Sequence, residues 1–117
     1  MKHAFLNLKA LILCHSSKVP DKISRILTRN KMKIATAESC TGGLVSSRLT
    51  DVTGSSNYIR ANYVTYSKEA KHNILGVSQE TLDKFGAISP ECAYEMADGL
   101  LKITGSDVVI CTTGVAG

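Results

Sequence analysis

Residues 34–43, Ile-Ala-Thr-Ala-Glu-Ser-Cys-Thr-Gly-Gly, constrain this chain more than any other stretch. Ile34 to Glu38 has the length and composition of a buried strand, and Gly42-Gly43 supplies a tight turn. From Leu44 on, Leu44, Val45, Leu49 and Val52 recur at helical spacing. Strand, turn and helix in succession make the α/β unit, whose ligands bind at the carboxyl ends of the strands. The turn carries a carboxylate (Glu38), two hydroxyls (Ser39, Thr41) and a thiol (Cys40). The bare N–H groups of Gly42 and Gly43 suit an anion or a developing oxyanion. The same residues also suit a βα turn in which a hydroxyl does no more than cap the helix.

The remaining chain alternates in the same way. Asp21 is expected to cap a helix carrying Ile23, Ile26 and Leu27, stopped at Asn30. Tyr58 to Tyr66 is rich in strand formers. Ser67 suits the start of a helix with Ala70, Ile74 and Leu75 on its apolar face and Gly76 as its stop. Ser78 starts a short helix that Gly86 closes. Ser89-Pro90-Glu91 opens the longest helix, on which Ala93, Met96, Ala97, Leu100 and Leu101 form one face before Gly105. Val108 to Cys111 is apolar throughout, as in a strand buried on both faces. The order predicts an α/β layered domain with a mixed or parallel sheet.

At 117 residues, 44% hydrophobic and 21% charged, the chain holds one globular domain. The net charge of +4 is spread along it without a Lys/Arg block, so nucleic acid is not implied and a small anionic substrate fits equally well. Cys14, Cys40, Cys92 and Cys111 are far apart, with no His at metal-ligand spacing, which argues against a metal site and for a reduced, cytoplasmic protein. Residues 1–14 include a short apolar run that Asn7 and Lys9 interrupt. No cleavage motif follows, and the run is too short to span a bilayer, so no membrane role is expected. Residues 1–18 are therefore expected to form an N-terminal extension to a domain over 19–117.

A hydrolytic site without a usable His needs another base. His3 and His15 lie in the extension, and His72 suits a solvated helix position. Lysine serves if burial depresses its pKa. Lys71 follows the second strand closely, so it comes out beside Ser39 if the two strands are neighbours. Tyr66, at the strand end, could relay a proton. A surface lysine and a half-buried strand tyrosine are the plainer alternatives.

Residues 33–117 resemble the C-terminal domain of the CinA family, the nicotinamide-nucleotide amidohydrolases. The matching pieces are Ala37–Gly43, Thr50-Asp51-Val52 with Gly54-Ser55-Ser56, Tyr66-Ser67 with Glu69-Ala70-Lys71, Leu75-Gly76-Val77, Gly86–Ser89, Met96-Ala97 and Thr113–Gly117. The resemblance implies a three-layer α/β/α domain with a mixed sheet. It implies hydrolysis of the carboxamide of nicotinamide mononucleotide to nicotinate mononucleotide and ammonia, with no metal or cofactor. Ser39 would be the nucleophile, Lys71 the base and Tyr66 its neighbour. Glu38, Thr41, Gly42, Gly43, Arg60, Thr113 and Gly114 would contact the substrate. Cys40, beside Ser39, is expected to pack into the turn.

Two departures accompany it. Ala61-Asn62 stands where the family has small residues after Arg60. The family pattern also continues past Gly117 with a Pro/Gly-rich loop, strands and a closing helix, so the domain is expected to be incomplete at its C-terminus. The apolar strand Val108–Cys111 would then lack cover and favour a homo-oligomer. The alternative function is a catalytically inactive remnant that at most binds a nucleotide or a partner chain.

Overall fold

The computed structural model describes residues 18–115; the expected extension lies almost wholly outside them. Helix α1 (Lys18–Arg29) leads into β1 (Ile34–Glu38), α2 (Leu44–Thr50), a 3-10 turn (Ser55–Asn57) and β2 (Ile59–Val64). Then come α3 (Lys68–Leu75), α4 (Gln79–Lys84), α5 (Pro90–Thr104) and β3 (Val108–Cys111). Helix α1 starts three residues before the expected Asp21, because Pro20 is tolerated in a first turn, where no N–H bond is lost. Among the described residues no helix is long and apolar enough to cross a membrane.

The strands form one sheet in the order β2-β1-β3, and both pairings are parallel. Of the two arrangements expected, the described part of the sheet is the parallel one. Alternate side chains of β1 serve opposite layers. Ile34 packs with Leu27 of α1, Val45 and Leu49 of α2, Tyr58 and Ile110. Ala35 and Ala37 pack with Leu75, Leu82, Met96, Leu100 and Val109 under α3, α4 and α5. Three layers result, α1 and α2 on one side of the sheet and α3 to α5 on the other.

Local chemistry sets most of the ends. Ser67, Ser78 and Ser89 each accept the N–H of the residue three positions on, and Gly76 and Gly105 close α3 and α5 in the left-handed region. The expected face of α3 is rotated: Lys71 and Leu75 are buried, while Ile74 is 42% exposed. Leu44 is likewise 46% exposed, at the start of α2.

Gly99 marks the closest approach of α3 and α5. A Cβ there would lie 1.7 Å from the Leu75 carbonyl oxygen. Ala is the better helix former by about 1 kcal/mol, but this contact meets backbone and cannot yield cheaply. Gly99→Ala is expected to lower stability by about 1–3 kcal/mol in urea unfolding. An unchanged or raised midpoint would show that the two helices separate freely.

Candidate active site

The connection after β1 runs through α2 on one face of the sheet, and the connection after β2 runs through α3 on the other. A crevice opens at the carboxyl ends of two strands whose connections part in this way. Ser39 follows β1 directly, Thr65 and Tyr66 follow β2, and Lys71 lies in the first turn of α3.

There Lys71 Nζ donates to Ser39 Oγ at 2.9 Å. It also donates to the carbonyls of Thr65 at 2.8 Å and Tyr66 at 3.0 Å. Lys71 is 1% exposed and Ser39 6%. Burial pushes the Lys71 amine below its usual 10.5, against an opposing pull from the thiols of Cys92 and Cys40. Three acceptors hold this amine, and no carboxylate pairs with it among the described residues. Two of the acceptors are carbonyl oxygens, which only accept. A neutral amine has two N–H bonds and one lone pair, so once both carbonyls are satisfied the lone pair faces Ser39 Oγ.

Tyr66 enters this cluster through its backbone. Its carbonyl accepts from Lys71 and, at a long 3.4 Å, from Ser39 Oγ. Its side chain is 69% exposed, and its phenol has no hydrogen bond among the described residues. The proton relay expected of the phenol is not formed in this geometry.

Glu38 is fully buried and turned to α2. Its Oε1 accepts the N–H of Gly43 at 3.2 Å and of Val45 at 2.9 Å. Its Oε2 accepts the N–H and hydroxyl of Ser46. Burial raises the carboxyl's pKa, but the hydrogen bonds of Ser46, Thr41 and Val45 outweigh it and hold it below 4.5. The carboxylate expected to bind substrate instead neutralises the helix start, where N–H groups and dipole favour an anion.

That arrangement moves the anion-binding donors. Gly43 N–H goes to Glu38, and Gly42 N–H goes to the Ser39 carbonyl at 3.0 Å. Within the turn, the N–H groups of Cys40 and Thr41 have no partner among the described residues. The first belongs to the residue after the hydroxyl bearer, the usual place for an oxyanion donor at a strand–helix elbow.

The other expected residues divide. Cys40 packs against Gly114, where a Cβ would lie 3.4 Å from its Sγ. Thr113 Oγ1 donates to the Ala87 carbonyl at 2.6 Å and ties the loop before α5 to this end of the sheet. Arg60 is elsewhere: it sits near the amino end of β2 and donates to the Thr104 carbonyl at 3.3 Å. In a parallel sheet that is the end opposite Ser39, so Arg60 of this chain does not reach the site. Asn62 accepts the Thr36 hydroxyl at 2.9 Å, which gives a polar strand-to-strand link where small residues were expected.

Thr112 was not foreseen. Its Oγ1 accepts the Ser39 N–H at 3.2 Å and lies 2.8 Å from Thr41 Oγ1. A threonine ending an apolar strand reads as a strand former; its place just before Thr113-Gly114 at a carboxyl strand end was the available signal.

The family model described as the CinA C-terminal domain matches residues 16–117. The chain belongs to the CinA family. A CinA-like protein of Chlorobium phaeobacteroides is 52% identical over 99 residues, 85% of this chain and 23% of that relative. One from Chloroherpeton thalassium is 55% identical over 97 residues, 83% of this chain and again 23% of the relative. This chain thus spans about a quarter of the length of these curated CinA relatives. The solved competence/damage inducible protein of Agrobacterium tumefaciens has a TM-score of 0.84 at 40% identity, over 86% of this chain and 61% of that one. The competence damage-inducible protein A of Klebsiella pneumoniae gives 0.84 at 36% identity, over 86% of this chain and 63% of that one. The CinA assignment and the α/β expectation therefore agree with the solved folds.

Proposed function

We propose that this CinA domain carries a Ser39–Lys71 amidohydrolase centre acting on the carboxamide of nicotinamide mononucleotide. The observation that supports it is the buried 2.9 Å contact between Lys71 Nζ and Ser39 Oγ, with both remaining amine positions taken by carbonyls. The amide carbon is the electrophile. Ser39 Oγ attacks it while its proton passes to the Lys71 lone pair. The Cys40 and Thr41 N–H groups receive the oxyanion. Lys71 then returns the proton to the departing nitrogen, which leaves as ammonia. Water attacks the resulting ester, again with Lys71 as base, and nicotinate mononucleotide leaves with Ser39 restored.

In this scheme one lysine performs both proton transfers, and Tyr66 contributes its carbonyl. That carbonyl and the Thr65 carbonyl aim the lone pair, a positioning effect that costs nothing at the moment of reaction.

The test is ammonia release from nicotinamide mononucleotide by the purified protein and by Ser39→Ala. The parent is expected to release ammonia in step with the nicotinate nucleotide. The variant is expected to lose about 10³-fold or more in kcat, because the covalent route is closed. Release that survives in Ser39→Ala would remove Ser39 from the mechanism.

A further inference from the structure

We propose that Thr112 is a positioning residue: its hydroxyl holds both ends of the Ser39–Thr41 turn so that the Cys40 and Thr41 N–H groups stay aimed as the anion-binding pair. Thr112 follows β3 and extends the ladder, its N–H donating to the Ala37 carbonyl at 3.0 Å. That bond carries the side chain to the carboxyl end of β1. There its Oγ1 meets Ser39 N–H at 3.2 Å and Thr41 Oγ1 at 2.8 Å. Thr112 is 5% exposed, so water does not compete freely for these bonds.

Thr41 Oγ1 and Thr112 Oγ1 share a hydrogen bond at 2.8 Å in which either hydroxyl can donate. A hydroxyl oxygen has two lone pairs, so Thr112 accepts the Ser39 N–H whichever way that proton lies. Thr112 is thus bonded at once to the first and last residues of the turn. The two unpartnered N–H groups lie on the short stretch of backbone between the points Thr112 holds. No other side chain ties β3 to this turn by a hydrogen bond among the described residues.

Thr112→Val keeps the shape and removes the hydroxyl, whereas Thr112→Ser keeps the hydroxyl. In nicotinamide mononucleotide hydrolysis the valine variant is expected to lose about 10–100-fold in kcat with KM within about threefold of the parent. The serine variant is expected within about threefold of the parent in both. A valine variant with the parent's kcat, or a serine variant as slow as valine, overturns the role.

This inference rests on the amidase reading, and p-nitrophenyl acetate separates the two. An active ester acylates the serine without needing a protonated leaving group. Parent protein that acylates from the ester but releases no ammonia from the nucleotide sinks the substrate assignment alone. Slower acylation of Thr112→Val then still supports Thr112, and equal rates overturn it. Amide hydrogen exchange at Ser39 reads the same turn with no chemistry. Exchange at least about tenfold faster in Thr112→Val, with serine like the parent, is expected; no change refutes the proposal.

Discussion

Replacing Lys71 by methionine is expected to lower kcat by about 10³-fold while leaving a folded protein. General-base assistance is worth about 10²–10⁴-fold, and in the proposed mechanism the same amine serves both transfers. Methionine fills a similar volume but donates to neither the Thr65 nor the Tyr66 carbonyl. An unsatisfied buried acceptor costs about 1–3 kcal/mol. Removing a buried ionisable group offsets part of that, so a net loss of about 2 kcal/mol or less is expected. Lys71→Arg is expected to be equally slow, because guanidinium remains protonated and offers no lone pair.

The pH profile carries the same argument. In the proposed mechanism Lys71 works only when neutral, so kcat/KM is expected to rise with pH through its pKa. Burial lowers that pKa, so the acid limb falls below 10.5. The limb should disappear with Lys71→Met. A variant that keeps the parent's limb, or a kcat within tenfold of the parent, would assign the base to another group.

Replacing Glu38 by glutamine is expected to give the largest loss of stability, about 2–3 kcal/mol. The carboxylate collects N–H groups from Gly43, Val45 and Ser46 and the Ser46 hydroxyl. Bonds to a charged acceptor are each worth about 1.5–3 kcal/mol, and an amide turns one acceptor into a donor facing donors. A fall in Tm of roughly 10–20 °C follows for a domain of this size.

The pH dependence has a definite sign. The folded pKa lies below 4.5, so the unfolded chain binds more protons in that window and stability rises with pH. The contribution is complete above 4.5 and is lost as pH falls through the folded pKa. Urea unfolding of parent and variant from about pH 7 downward should therefore converge in acid. Parallel stability curves over that range would show that the carboxylate does not cap α2.

Much of the layout was legible because it rests on local chemistry. Ser67, Ser78 and Ser89 begin helices, and Gly76 and Gly105 end them, for reasons contained within four or five residues. The Ser39–Lys71 meeting was also legible, since it requires only that β1 and β2 be neighbours. What escaped was decided across the sheet. Nothing near Glu38 in sequence says that its carboxylate turns back onto the helix after it, taking Gly43 N–H away from any ligand. The face of α3 was assigned to Ala70, Ile74 and Leu75 from apolar spacing alone, whereas burial of the Lys71 stem turns Ile74 outward. Arg60 was assigned to the site by the family resemblance alone, but it stands at the amino end of β2, which leaves the guanidinium at the end of the sheet opposite Ser39. Thr112 was hidden because strand propensity already explained it.

The partnership of Ser39 with Thr112 spans 73 residues. The partnership of Ser39 with Lys71 spans only 32. The shorter one needs β1, β2 and the start of α3 in place, whereas the longer one forms only when β3 has docked beside β1. The turn after β1 is therefore held from both ends of the described chain at once, and a chain whose β3 is displaced lacks the bonds that hold it.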